Sequence, residues 1–412
     1  MSTNYSQLQK ILAIDGTTEN FFGNSVALSM SGDVALVGAT GNDGDTGSAY
    51  VFIFSDMQWV QQKKLIAGDA AINDLFGNAV ALSADGKTAL VGDHADTIGP
   101  NQFQGSAYVF VKTVSDWEQQ IKLTGDNIVN LSFGEHVALS ADGNTAIISE
   151  RVGANAVFIF VRSGSVWSLQ QRISVAPIAL PAEFSGAVAL SATGNTALVG
   201  LFSGEAVYVF QRSGVTWSQQ QILGNPAAPL TNYFGASIDL SGDGKTALIG
   251  APQTNSNQGA AYIFKYSDGV WSDMQQLPLA SDVLINDTFG SSVALSYDGD
   301  IALVGAAGGN KSYVFKRSSD TWTPFPEITA SDSDVSGNFG NAVALSGNGM
   351  IGLIGAFAFS DNQGSAYFFG AKPDVTPADT TSLIKFLPDV IITTIVLYGG
   401  IIGMFLFNAS EE

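Results

Sequence analysis

"FGNAVALSADGKTALVG", Phe76 to Gly92, places two short apolar stretches on either side of an Asp-Gly turn, and it recurs along the whole chain. The other copies are "FGNSVALSMSGDVALVG" from Phe22, "FGEHVALSADGNTAIIS" from Phe133, "FSGAVALSATGNTALVG" from Phe184, "FGASIDLSGDGKTALIG" from Phe234, "FGSSVALSYDGDIALVG" from Phe289 and "FGNAVALSGNGMIGLIG" from Phe339. Seven copies spaced 50 to 57 residues apart mark an internal repeat. Each copy runs on through a variable loop into an aromatic strand such as "GSAYVFIF" (Gly47–Phe54). A turn and a Trp-led strand such as "WVQQKKL" (Trp59–Leu65) follow. Short alternating or continuous apolar runs punctuated by Gly, Asn, Asp and Ser read as four strands per copy. Four strands repeated at this period make a propeller blade.

Six copies carry the Trp, at Trp59, Trp117, Trp167, Trp217, Trp271 and Trp322. After the seventh "GSAYFF" (Gly364–Phe369) comes "GAKPDVTPADTT", with no fourth strand. The missing strand is predicted at the other end of the chain, where "LQKIL" (Leu8–Leu12) matches "QQKKL" (Gln61–Leu65). Placing it outermost in blade seven closes the ring and removes an open sheet edge. The expected fold is therefore all-β, a seven-bladed β-propeller of four-stranded antiparallel blades over residues 7–370. A linker (371–388), a transmembrane α-helix (389–408) and a short acidic tail (409–412) are expected to follow.

Composition excludes several classes of function. A net charge of −20 and a pI near 4.2 argue against nucleic acid, whose phosphates need clustered Lys and Arg. The chain has no cysteine, so disulfides, thiolate metal sites and cysteine nucleophiles are excluded. Its two histidines, His94 and His136, leave little for histidine metal clusters or catalytic triads, and both read as structural. Asp239, standing where other copies of "VALS" have Ala, is the one strand-borne carboxylate out of pattern. A lone acid does not make an acid–base pair, so no catalytic residue is assigned and the chain is read as a non-enzyme.

The combination of Phe-Gly, "VALS-x-DG-x-TALVGA" and "AYVF…W-x-QQ" resembles FG-GAP repeat proteins, a branch of the integrin α-subunit type of β-propeller, from about Leu8 to Phe369. The resemblance implies a seven-bladed propeller that binds other macromolecules, often at cell surfaces. It also raises calcium, since many integrin-type blades carry a calcium loop between their first two strands. Here the sequence departs from the pattern. Calcium needs six to eight oxygen ligands, several of them carboxylate, and "SADGKTA" (Ser83–Ala89) offers only Asp85. The equivalent pairs are Ser31-Gly32, Asp142-Gly143, Thr193-Gly194, Asp243-Gly244, Asp298-Gly299 and Asn348-Gly349. The glycine is constant and the acid is not, which is the signature of a hairpin turn with φ > 0 at its central positions. No cofactor is expected. Asp43 and Asp45 in "GNDGDTG" (Gly41–Gly47) are the weak metal candidates, against a plain polar loop.

Strand order puts the second–third loops and the links between blades on one face, called upper here. The expected interaction face lies there, carried by Asp69, Asp74, Asp93, Asp96, Asp282, Asp287, Asp332 and Asp334. Lys87, Lys112, Arg162, Arg212, Lys245, Lys265, Lys316 and Arg317 gather on the lower face. "VIITTIVLYGGIIGMFLF" (Val390–Phe407) is uncharged and long enough as a helix to span a bilayer, with Val390, Leu397 and Phe407 in its apolar run and Gly399 and Gly403 in GxxxG spacing. Lys385 before the span and acids after it favour a single-pass, tail-anchored protein with its propeller on the cytosolic side. The expected function is membrane-anchored recognition or adhesion through the acidic face, with a protein or glycan as partner. The alternative is a structural membrane component of a large assembly such as a virion, with the propeller inside it and contacts to further copies. A glycan-active enzyme ranks third.

Overall fold

The computed structural model describes residues 5–150, 156–174, 184–201, 206–224, 232–332 and 337–371. Tyr5–Gly370 form one compact unit, and of the second unit (Met1–Asn4 with Ala371–Glu412) only Ala371 is described. The anchor residues Val390, Leu397, Gly399, Gly403 and Phe407, and with them Asp334, lie outside the described residues. Among the described residues no helix is long and apolar enough to cross a membrane.

The compact unit is a seven-bladed propeller of seven four-stranded sheets. After β1 (Tyr5–Ile11), blade 1 is built in chain order from β2 (Phe22–Leu28), β3 (Val34–Ala39), β4 (Ser48–Ser55) and β5 (Gln58–Leu65), each antiparallel to the next. Blades 2 to 6 repeat that order. Blade 7 takes its inner three strands from Val343–Leu345, Ile351–Ala356 and Ser365–Ala371, and β1 lies outside them. The strand begins earlier than Leu8, because Tyr5 fills the Trp position. Tyr5 stands five residues before Lys10 as Trp59 stands five before Lys64, and its hydroxyl donates to the Gly349 carbonyl as Trp59 Nε1 donates to that of Gly32. An aromatic with one polar handle is what that half-buried site requires.

The cores lie between blades. Each of seven apolar clusters joins neighbouring sheets, as where Leu36 and Val51 of blade 1 meet Phe76, Val91 and Trp117 of blade 2. The second strand of each blade is covered on both faces, which is why "TALVG" reads as a continuous apolar run. In the six blades that carry it, Phe-Gly docks the blade on the last. Gly77 has φ +94°, and a Cβ there would lie 2.3 Å from the Ser48 carbonyl oxygen, so no side chain fits.

The Asp-Gly stretch is a turn, though not a two-residue one. In blade 2 it spans Ser83 to Lys87, and only Gly86 takes positive φ (+65°). Ser83 Oγ accepts from Thr88 N at 2.9 Å and donates to Asp85 Oδ1 at 2.7 Å, while Lys87 N donates to that same oxygen at 3.0 Å. Asp85 is thus consumed in an Asx-type turn. The residue after each Ser ties one blade to the next: Met30 N donates to Ala84 O, Ala84 to Ala141, Ala141 to Ala192, Ala192 to Gly242, Gly242 to Tyr297, Tyr297 to Gly347 and Gly347 back to Met30, at 2.8 to 3.0 Å. This closed ring of main-chain bonds encircles the lower mouth.

Candidate functional site

The upper-face acids are mostly working parts of the scaffold. Asp69, in the link entering blade 2, accepts from Tyr108 Oη at 2.7 Å and from Lys122 Nζ at 2.6 Å, joining the link to the third and fourth strands. Asp15 does the same with Tyr50 (2.8 Å) and Lys64 (2.7 Å) in blade 1, and Asp332 with Tyr367 (2.9 Å) and Lys10 (2.5 Å) in blade 7. Blade 3 substitutes Asp126 and Arg172, 2.9 Å apart. In blade 6 Asp282 lies 3.9 Å from Lys311 and shares a hydrogen bond with Glu327, which lowers the pKa of Asp282 and raises that of Glu327. Burial raises the pKa values of Asp15, Asp69 and Asp332, but the Lys and Tyr donors outweigh it and hold all three below the ordinary range.

Asp74 and Asp287 are buried and shape their own loops. Each accepts a hydrogen bond from the main chain three residues back, Ala71 N at 2.6 Å and Leu284 N at 2.8 Å. Asp96 is also buried and pairs with Lys122 at 2.6 Å. Asp93 is fully enclosed, and neither of its oxygens has a partner among the described residues. Burial first, then Asp96 and Asp74, push its carboxyl up to about 10. Glu150 holds the same place in blade 3, where burial raises it to about 7. Asp239 accepts from Leu240 N (2.8 Å) and from Leu295 N of the next blade (2.7 Å), and burial raises it to about 6.

Asp43 pairs with Lys64 at 2.8 Å in a short left-handed turn shared with Gly44 and Asp45. No group of three or more His, Asp or Glu among the described residues is placed to hold a metal ion. The charge segregation expected between faces is incomplete, because Lys10, Lys64, Lys122, Arg172 and Lys311 rise to the upper face and neutralise the link acids. Apart from Lys311, which opens the third strand of blade 6, their placement was hidden in the fourth-strand sequences. "WVQQKKL" gives no sign that its second Lys reaches a link two strands away in space.

With those acids tied down, the upper loops present apolar tips instead. Ile72 (71% exposed), Ile128, Val129, Leu284 (62%) and Ile285 stand at equivalent places in the links entering blades 2, 3 and 6, and Phe103 is exposed in the second–third loop of blade 2. These loops are braced: Asn130 N donates to Gln102 O and Ser132 N to Phe103 O, at 2.9 and 3.1 Å. The signal was present as "AIND", "IVN" and "LIND", an aliphatic pair or single beside a turn-forming Asn, but the acids drew the reading.

The FG-GAP repeat family matches residues 5–52, 59–110, 217–264, 271–316 and 322–369, more than half of the chain, and the protein belongs to that family. No curated protein matches the chain in sequence. Among solved structures it is similar to the β-propeller domain of Cps50 (Swd1) from Myceliophteria thermophila, at 10% identity and a TM-score of 0.61, over 89% of this chain and 100% of that one. That likeness concerns the fold alone.

Proposed function

We propose that this FG-GAP propeller, of the integrin α-subunit type, is a non-enzymatic recognition module that binds a protein partner through its upper loops. The observation that carries the reading is the set of exposed aliphatic tips on braced loops, Ile72, Ile128, Val129, Leu284 and Ile285, surrounded by neutralised ion pairs. Apolar tips rimmed by polar groups gain about 25 cal/mol per Å² when a partner covers them, and neutral rims add little desolvation cost. The last described strand, Ser365–Ala371, runs toward the lower turns, with Gly370 paired to Ile351, and that direction supports a tether that begins at the lower face. Val390–Phe407 is the proposed membrane anchor of that tether.

The test compares capture of membrane-extract proteins by the full chain and by an Ile72→Asp/Leu284→Asp variant of equal melting temperature. One soluble protein retained by the first and lost at least about tenfold by the second is the expected outcome. Equal capture by both overturns the upper-face reading. A stoichiometric array of further copies in place of a soluble ligand makes the chain a structural component. Deleting 388–412 is expected to release a folded, soluble propeller from membranes, and continued membrane sedimentation of that fragment overturns the anchor.

A further inference from the structure

We propose that the seam between blades 5 and 6 carries, on the lower face, a binding site for a neutral oligosaccharide. At five of the seven seams, from blade 7–1 round to blade 4–5, an outer-strand glutamine clamps the next blade's Trp. Gln62, Gln120 and Gln170 accept from Trp117, Trp167 and Trp217 Nε1 at 2.8 to 3.1 Å. Gln9, Gln171 and Gln221 each make a pair of bonds with the main chain of Trp59, Trp217 and Trp271. Both devices are missing at the two seams of blade 6. Between blades 6 and 7 Phe325 takes the glutamine's place and packs on Tyr5 at 5.9 Å, whereas between blades 5 and 6 nothing among the described residues replaces the clamps. Met274 stands where Gln62 and Gln120 stand, and the buried Trp322 Nε1 has no acceptor among the described residues. Gln275, at the place of Gln171, makes no described bond to Trp322, and the outer strand of blade 6 stops at Pro324 after four residues.

A groove of about 720 Å³ opens at the lower end of this seam, within the size range of small-ligand sites. Its floor offers Tyr266, 39% exposed and braced by the Trp271 ring at 5.5 Å, together with the Met274 thioether. Its walls carry Lys245, Lys265 and Arg317 against Asp243, Asp298 and Asp320, so neither an anion nor a cation is favoured as a class. Lys265 and Asp320 pair across the seam. Asp243 and Asp298 use Oδ1 in their own turns, while their Oδ2 atoms and Lys245 Nζ have no described partner. An aromatic face for the C–H side of a sugar ring, flanked by free acceptors and a free donor for its hydroxyls, suits an uncharged polyhydroxy chain. This reading is independent of the upper face.

The test is calorimetric titration of the full chain with maltotriose, cellotriose, mannotriose, galactotriose and chitotriose, each to about 10 mM, beside trigalacturonic acid as the charged probe. At least one neutral trisaccharide is expected to bind, at least about tenfold more weakly after Tyr266→Ala and unchanged after Leu284→Asp. Met274→Gln, which restores the clamp, is expected to raise the melting temperature and weaken the sugar. It serves as the second variant should Tyr266→Ala unfold. No binding by any neutral probe, tighter binding of the acidic one, or affinity indifferent to both groove variants overturns the proposal.

Discussion

Asp93 holds a place that Ala39, Ala251, Ala306 and Ala356 fill in other blades, and it holds it with two buried, unpartnered oxygens. Its folded pKa of about 10 lies above that of an unfolded aspartate, so folding takes up a proton. The stability compatible with this group is therefore fully present below about pH 4 and declines as pH rises toward 10. Asp93→Ala is expected to stabilise the propeller by about 1–3 kcal/mol near neutral pH, with a larger rise in melting temperature at pH 8 than at pH 5. Equal shifts at both pH values would contradict a protonated Asp93. Asp69 has the opposite sign. Its lowered pKa means its contribution is present above about pH 4 and lost on acidification, so Asp69→Asn should flatten the acid limb of the pH–stability curve.

At the scale of strands, the tandem glutamines of "W-x-QQ" prove to be connectors rather than surface filler. Gln171 donates to the Trp217 carbonyl at 3.0 Å and accepts from its N–H at 2.8 Å, so it mimics one further rung of sheet between two blades. Gln171→Leu is expected to cost about 1–2 kcal/mol in urea denaturation, because both main-chain groups of Trp217 lose their partner. In blade 1 Lys63 takes that place and pairs instead with Asp116 of the next blade at 2.5 Å. The strands themselves were readable from period and punctuation. The clamps were not, since a glutamine's amide reach depends on how two outer strands are spaced.

Across the whole molecule the ring is sealed at several radii. Gly347 N bonds Met30 O at the lower mouth, Phe22 bridges Gly364, and Gln9 bonds the Trp59 main chain at the rim. β1 completes the last sheet. A chain lacking residues 1–11 exposes the edge of Ser365–Ala371 and loses the Lys10–Asp332 pair. It is expected to unfold at a lower urea midpoint than the intact chain and to self-associate in analytical ultracentrifugation. A monomer with an unchanged midpoint would mean that the inner ring of turns suffices to hold the propeller closed.

The seven repeat copies, six of them opening with Phe-Gly, the constant turn glycine and the Trp missing after Phe369 were enough to read the architecture, the number of blades and the strand that closes them. Those features are local: backbone conformation, apolar period and repeat spacing act within one blade. The chemistry of the upper face is not local. Asp69, Tyr108 and Lys122 are separated by up to 53 residues, and only packing reveals that they meet and cancel. Met274 likewise reads as one more apolar residue until blades 1 to 4 show a glutamine in its place and the fold shows a groove beside it. Charge and exposure belong to the assembled surface, where the partner of each side chain comes from another strand or another blade.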